Sequence, residues 1–361
     1  MYKKIIRPIL FRFHPDYVHD TVVTLGYYLG KSSLAKSILK SLYKYDHPSL
    51  NTEVFGIKFK NPIGIAGGFD KNAKLIQTLP SVGFGFVEVG SITARPYKGN
   101  PRPWNVRLKA DNSLIVNYGL KNEGVDVVRK RIKDQKRTTP LIVNIAKTND
   151  IRIKGDDSIE DYNKSFKKLQ ALADIVNINI SCPNTGDGVL FCQSTKLLES
   201  LLKKLSQNRV NKPIVLKLKP DIDDKVLEEI IQIIKRFPIV KGFIISNLTS
   251  NRKTLKVVKP KDIQQYSGAL SGKPLKELST KMIKKVYEKT NGKYPIVGLG
   301  GVFTAEDAYE KICFGASLIE IATGLIYGGP ATVKNINKGL VKLLEKDGFK
   351  NISEAVGSKN K

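Results

Sequence analysis

A chain of 361 residues, 41% hydrophobic and 26% charged, can bury a large core, either as one barrel-sized domain with an appendage or as two domains. Its 61 Lys+Arg against 33 Asp+Glu leave a formal charge of +28, which suits anionic surfaces. Lysine-rich stretches such as Lys164–Lys168 and Lys281–Lys285 fall on expected helix exteriors, so the surplus reads as a solvated surface rather than a nucleic-acid-binding tail. Cys182, Cys192 and Cys313 form no CxxC pair and no metal-ligand spacing, which excludes a disulfide scaffold and a zinc site and fits a reducing, intracellular setting.

The first 45 residues carry apolar positions at helical spacing (Ile5, Ile6, Ile9, Leu10, then Val22, Val23, Leu25, Leu29) among Lys3, Lys4, Arg7 and Arg12. Charges break every run before the ~18 residues a membrane span needs, and no signal-peptide pattern follows the basic start. Two or three short amphipathic helices are expected, either capping the main domain or lying on a membrane surface. All three histidines, His14, His19 and His47, fall in the first fifty residues. A general base in the body of the chain is therefore expected not to be histidine. Three domains of unequal size follow: an amphipathic segment 1–45, a main body 46–345 and a basic tail 346–361.

From residue 55 onward short β-branched runs alternate with helical periodicity. Strands are predicted at Ile63–Ala66, Phe84–Val89, Leu141–Ile145, Asp174–Ile180, Ile214–Leu218, Gly242–Ser246, Ile296–Leu299 and Leu318–Ile321. Helices are predicted at Thr195–Leu205, Asp224–Arg236, Leu275–Lys289 and Ala305–Phe314. Repeated β-α units of this kind predict an α/β fold, a (β/α)8 TIM barrel with an N-terminal helical extension.

Function in such barrels collects at the carboxyl ends of the strands. Here those ends read Ala66-Gly67-Gly68-Phe69-Asp70-Lys71, Gly90-Ser91, Asn144, Asn179 with Cys182, Lys217, Ser246-Asn247, Gly298-Leu-Gly300-Gly301 and Ala322-Thr323-Gly324. Glycines after the last two strands are where barrels commonly seat a phosphate on backbone N–H groups. The run Asn177-Ile-Asn-Ile-Ser-Cys182-Pro-Asn184 is open to two readings: a small cysteine closing a strand, or a proton acceptor beside amides that hold a polar heterocycle. No GxGxxG follows the first strand, so a Rossmann dinucleotide site is not indicated. A flat cofactor with one phosphate, FMN, is the economical choice, with Lys217 facing the charge of the reduced ring.

Taken together, Asn61-Pro-Ile-Gly-Ile-Ala-Gly-Gly-Phe-Asp-Lys71, Asn179-Ile-Ser-Cys-Pro-Asn184, Lys217 with Pro220-Asp221, Ser271-Gly272-Lys-Pro-Leu and Gly298-Leu-Gly-Gly301 resemble dihydroorotate dehydrogenase from about residue 5 to about residue 335. Arg7-Pro-Ile-Leu-Phe with His14-Pro-Asp and His19 is similar to the membrane-associated, quinone-reducing class. The resemblance implies FMN-dependent oxidation of dihydroorotate to orotate in pyrimidine synthesis, with electrons passed to a quinone. It implies FMN contacts from Gly67, Lys71, Ser91, Asn144, Asn179, Lys217, Ser246, Gly272, Gly300, Gly301, Ala322 and Thr323. Substrate would be held by Lys71, Asn117, Tyr118, Gly119, Leu120, Asn179, Asn184, Asn247 and Leu248. Cys182 would remove the proton at C5 while hydride leaves C6, and the enzyme would sit peripherally on the cytoplasmic side of the cell membrane, with no metal and no nucleic acid involved.

Five positions depart from that class. Cysteine stands at 182, where serine is usual; Thr185-Gly-Asp-Gly-Val replaces the usual following residues; the Asn117-Tyr-Gly-Leu loop is one residue shorter. Trp104 occupies the place of an arginine and Ala322 that of a tyrosine, both associated with the quinone tunnel. A soluble acceptor (fumarate, or NAD through a partner) is thus an alternative. The basic surface and Cys-Pro strand end also resemble tRNA-dihydrouridine synthase, against which stand Lys71, the four asparagines and the lack of an appended RNA-binding domain. A surface-binding protein built on an inactive barrel would be colourless when purified.

Overall fold

The β-branched runs of the sequence all enter one sheet. The computed structural model describes residues 2–185, 194–209 and 212–360. Among these, eight parallel strands close into a barrel: β1 (Ile63–Asp70), β2 (Phe86–Ile92), β3 (Leu141–Ile145), β4 (Ile175–Asn179), β5 (Ile214–Leu218), β6 (Val240–Ile245), β7 (Ile296–Leu299) and β8 (Ala316–Ile321). Strand β8 returns to β1 through Ile319 beside Ile63 and Ile321 beside Ile65. This is the (β/α)8 barrel that the alternation predicted.

Two helices precede the barrel, α1 (Pro15–Lys31) and α2 (Ser33–Tyr43), after a short turn of helix at Arg7–Leu10. The outer ring holds α3 (Val125–Lys133), α4 (Gly155–Leu169), α5 (Thr195–Ser206), α6 (Asp224–Lys235), α7 (Lys276–Thr290), α8 (Ala305–Cys313) and α9 (Thr332–Asp347). Each of these turns its apolar stripe to the sheet, as Leu198, Leu201, Leu202 and Leu205 of α5 do. After α9 the chain stays packed: Ile352 and Ala355 are buried, and Ile352 N–H donates to the Ser49 carbonyl.

Two small sheets went unpredicted because their strands of three or four residues are too short to show a period. The hairpin Thr52–Val54 with Ile57–Phe59 pushes Val54 and Phe59 against Phe86, Ile142, Ile175, Val215, Ile244, Val297 and Leu318, closing one end of the barrel with an apolar plug. At the other end Asn105–Leu108, Ser113–Val116 and Ala269–Gly272 form a three-stranded antiparallel sheet.

Side chains alternate across each strand, so the apolar floor fixes what comes next inside. Two residues beyond Phe86, Ile142, Ile175, Val215, Ile244 and Leu318 stand Glu88, Asn144, Asn177, Lys217, Ser246 and Glu320, all of them buried. The barrel interior is therefore dry at the bottom and polar toward the mouth.

Helix α1 lies close against the barrel because glycine occupies its contact face. A Cβ on Gly26 would come within 2.5 Å of Leu75, and one on Gly30 within 2.5 Å of the Thr78 hydroxyl. Asp16, fully buried, fixes the start of α1 by accepting hydrogen bonds from Trp104 N (3.0 Å) and Asn105 Nδ2 (3.1 Å).

Candidate active site

The strand ends meet one continuous cavity of about 380 Å3. It runs from the barrel mouth, past Gly67, Ser91, Asn144, Asn179, Cys182 and Lys217, to an apolar end formed by the N-terminal helices. Of the residues expected from the sequence, Lys71, Tyr118, Gly119, Leu120, Asn184, Asn247, Leu248, Ala322 and Thr323 also line it. Asn117, Ser246, Gly272, Gly300 and Gly301 lie outside that lining.

The interior polar layer is organised by a carboxylate that sequence reasoning passed over. Glu88 accepts hydrogen bonds from Gly67 N–H and from the Asn177 and Asn144 amides, the last at 2.8 Å, and lies 3.4 Å from the Lys217 ammonium. Burial works against its charge, but Lys217 and the three donors prevail and hold its pKa below the usual carboxylate range. A Cβ on Gly67 would fall 2.7 Å from the Glu88 carboxylate and 2.8 Å from the Asn144 amide, so only glycine lets this strand end lie against them. Glu88, Asn177 and Glu320 had a visible signal. Each is a polar residue at the inward register of an otherwise apolar strand, as in Phe86-Val-Glu-Val.

At the mouth the amides hold one another in place. Asn179 Nδ2 donates to Ser91 Oγ (2.9 Å), and its Oδ1 accepts from Asn247 Nδ2 (3.2 Å). Asn184 Nδ2 donates to the Val116 carbonyl (2.8 Å). Asn100, not anticipated, ties two of these segments together, since its Nδ2 reaches Asn117 Oδ1 (2.9 Å) and the Asn184 carbonyl (3.1 Å). Cys182 stands among them, partly buried and in no disulfide. Cys192, and most of the segment Thr185-Gly-Asp-Gly-Val, lie outside the described residues.

Lys71 joins the two ends of the cavity. Its ammonium lies 3.2 Å from His19 Nε2 and 3.6 Å from the centre of the Tyr118 ring. Solvent still reaches part of the side chain, yet dense surroundings desolvate the ammonium and bring its pKa down to about 7. Burial, then the Lys71 and Lys121 charges, push His19 well below the ordinary histidine value, so its ring is neutral. A histidine thus does enter the site, delivered by α1 rather than by the barrel.

Toward the other side, Ser271 and Thr323 hydroxyls meet at 2.7 Å. Gly301 has φ +73 and would place a Cβ 2.5 Å from the Lys276 Cα, leaving its backbone close beside the start of α7. Among the described residues Asn144 Oδ1 and Ser246 Oγ are buried with no hydrogen-bond partner. Such atoms in a polar cavity call for a ligand or water.

The apolar end is formed by Leu10, Phe11, Val18, Val22, Leu75, Leu79, Val82, Leu325 and Ile326, with Arg107 and His19 among them. Trp104 does not line it; its Nε1 donates to the Asn100 carbonyl (2.6 Å) and its ring carries Lys121 at 3.8 Å. Among the described residues the arginine lining this cavity is Arg107, three residues further on in the strand Asn105–Leu108, and Trp104 takes nothing from the lining. Ala322 does line it and leaves room where a larger side chain would stand.

A profile of dihydroorotate dehydrogenases matches residues 49–344. The chain belongs to the dihydroorotate dehydrogenase family. Dihydroorotate oxidation in pyrimidine biosynthesis is the function of that family, and its members are oxidoreductases. A relative from Christiangramia forsetii, named dihydroorotate dehydrogenase (quinone), is 42% identical over 96% of this chain and 99% of its own length. One of the same name from Trichodesmium erythraeum is 37% identical over 100% of this chain and 99% of its own. The crystal structure of the Eimeria tenella enzyme in complex with ferulenol superposes with a TM-score of 0.81 at 29% identity, over 96% of both chains. Family membership sets aside the tRNA-modifying and inactive-barrel readings.

Proposed function

We propose that this protein oxidises dihydroorotate to orotate with FMN and passes the electrons to a quinone. The observation that carries the proposal is the single cavity with Cys182 and the amide cluster at one end and an apolar, helix-lined pocket at the other.

The residues present fit FMN. Asn144 Oδ1 and Ser246 Oγ are buried polar atoms awaiting partners, the Gly67 backbone leaves a flat approach, and Lys217 offers a cation to the ring. Gly272, Gly300, Gly301 and Thr323 would take the phosphate, and Ser91, Asn179 and Lys71 the ring edges. When bound, FMN supplies a two-electron acceptor for the hydride of C6.

Everything else is the work of this chain. Asn117, Asn179, Asn184 and Asn247 would orient the pyrimidine, whose edge presents both donors and acceptors as an amide does. Lys71 would face the substrate carboxylate, and the backbone of Tyr118, Gly119, Leu120 and Leu248 would close over it. Cys182 Sγ takes the proton at C5, a role that requires the thiolate. The three-stranded sheet over the mouth and α1 over the apolar end keep bulk water from both.

The quinone reading rests on the apolar pocket and on the full-length likeness to relatives named for it. Ile5, Ile9, Phe13, Leu25, Leu34, Ile38 and Leu42 are exposed on the same helical segment, beside Lys3, Lys4, Lys31, Lys36 and Lys40. No helix among the described residues is long and apolar enough to cross a membrane. Residues 1–45 would therefore lie on the cytoplasmic membrane surface and admit quinone to residues 46–345.

Anaerobic mixing with dihydroorotate tests the first half: the flavin absorbance of the purified protein bleaches. Adding quinone, fumarate or NAD to the bleached protein then identifies the acceptor, and recovery of colour with quinone alone is expected. A yellow protein that dihydroorotate fails to bleach overturns the assignment.

A further inference from the structure

Glu320 projects from β8 into the interior polar layer and is fully buried. Among the described residues, no donor gives a hydrogen bond to either of its oxygens. Its polar neighbour is the Glu88 carboxyl on β2. Glu88 in turn accepts hydrogen bonds from Gly67 N–H and the Asn144 and Asn177 amides, with the Lys217 ammonium farther off at 3.4 Å, so a lone pair remains for one more donor. Two carboxylates in this buried layer would repel each other with one ammonium between them and leave four buried lone pairs of Glu320 unmet. A protonated Glu320 removes the repulsion and turns the same group into a donor.

We propose that Glu320 and Glu88 share one proton across the barrel interior, and that this acid pair is a positioning element that keeps the layer neutral, so that Lys217 is not outweighed beneath the flavin. The groups facing the pair fall into two kinds. Lys217 from β5 is the cation, while Asn144 from β3, Asn177 from β4 and Gly67 from β1 are neutral donors. Burial first and repulsion from Glu88 second raise the Glu320 pKa well above the usual carboxylate value, and Lys217 offsets only part of this. One ammonium thus balances one carboxylate rather than two. If Glu320 ionised, the layer would carry a net negative charge and disfavour added charge on a ring above it.

The part concerning Lys217 and the flavin rests on the reading of FMN above; the shared proton does not. Infrared spectroscopy of the wild-type protein at neutral pH is expected to show the carbonyl band of an un-ionised carboxylic acid that shifts in D2O. The band should be absent in Glu320→Gln, which keeps a donor toward Glu88 without the proton. No such band in the wild type, or one that persists unchanged in Glu320→Gln, overturns the shared proton. Stability gives a second readout free of the cofactor. Because the folded protein holds Glu320 protonated, the contribution of Glu320 to stability is full below the unfolded carboxyl pKa and falls as pH rises above it. Glu320→Gln should escape that fall, by about tenfold in the folding equilibrium for each unit of raised pKa. Parallel pH profiles would contradict it. For the flavin, midpoint potentials of the two proteins should agree at low pH and part at high pH, with the wild type dropping more steeply. Curves that superpose throughout, with the infrared result as expected, would leave the shared proton standing and refute its influence through Lys217. A colourless protein would refute the flavin reading and that influence with it.

Discussion

His19 Nε2 and Lys71 Nζ stand 3.2 Å apart across the seam between α1 and the barrel. The neutral ring can accept from the ammonium but cannot neutralise it, so Lys71 is held in place while keeping a pKa near about 7. That combination suits a group that must become fully charged only when an anion arrives.

Orotate affinity should accordingly depend on pH. The lowered pKa means the free protein loses the Lys71 cation as pH rises through about 7. Binding of the carboxylate should then weaken by about tenfold per unit above that point, until the pKa of the complex is reached. Isothermal titration with orotate at several pH values checks this, and a flat profile would remove Lys71 from the carboxylate. Lys71→Met should bind weakly and without pH dependence.

Cys182→Ala should leave the flavin bound and slow its reduction by dihydroorotate by about 10^2–10^4-fold, the usual share of a positioned base. Stopped-flow absorbance reads this directly. Reduction at near the wild-type rate would assign proton removal elsewhere.

Val22 lines the apolar end of the cavity, far from the amide cluster. Val22→Glu should raise the quinone KM at least about tenfold, since a charge placed in an apolar pocket is costly to desolvate. Reduction of flavin by dihydroorotate should stay within about twofold of normal. Equal losses in both half-reactions would mean the pocket is not the quinone's.

The anchor of α1 can be weighed separately. Asp16→Ala leaves Trp104 N–H and one of the two Asn105 Nδ2 hydrogens buried without an acceptor, the other still reaching the Tyr118 hydroxyl, a cost of about 1–3 kcal/mol. Urea denaturation should show it as a lower midpoint. An unchanged midpoint would mean that water replaces the carboxylate.

Barrel architecture was legible because eight β-branched runs recur with helical stretches between them, and most strand bounds fell within two or three residues of the observed ones. The mouth was legible for a related reason: Asn144, Asn179, Lys217 and Asn247 end apolar runs, where a polar residue is conspicuous. Glu88 and Glu320 also interrupt apolar strands and so leave a visible mark, but their role was not legible, since a buried carboxylate needs its partners located before it makes sense. His19 and Asn100 were hidden by distance along the chain. Their partners are 52 and 84 residues away in sequence, and no periodicity links such positions.

The apolar plug of Val54 and Phe59 makes the barrel a vessel open at one end only. Among the described residues, the cavity reaches the layer of Glu88, Asn177 and Glu320 from the mouth, past Gly67 and Lys217. Any flat molecule seated there covers that route, so proton exchange with the interior slows while it stays.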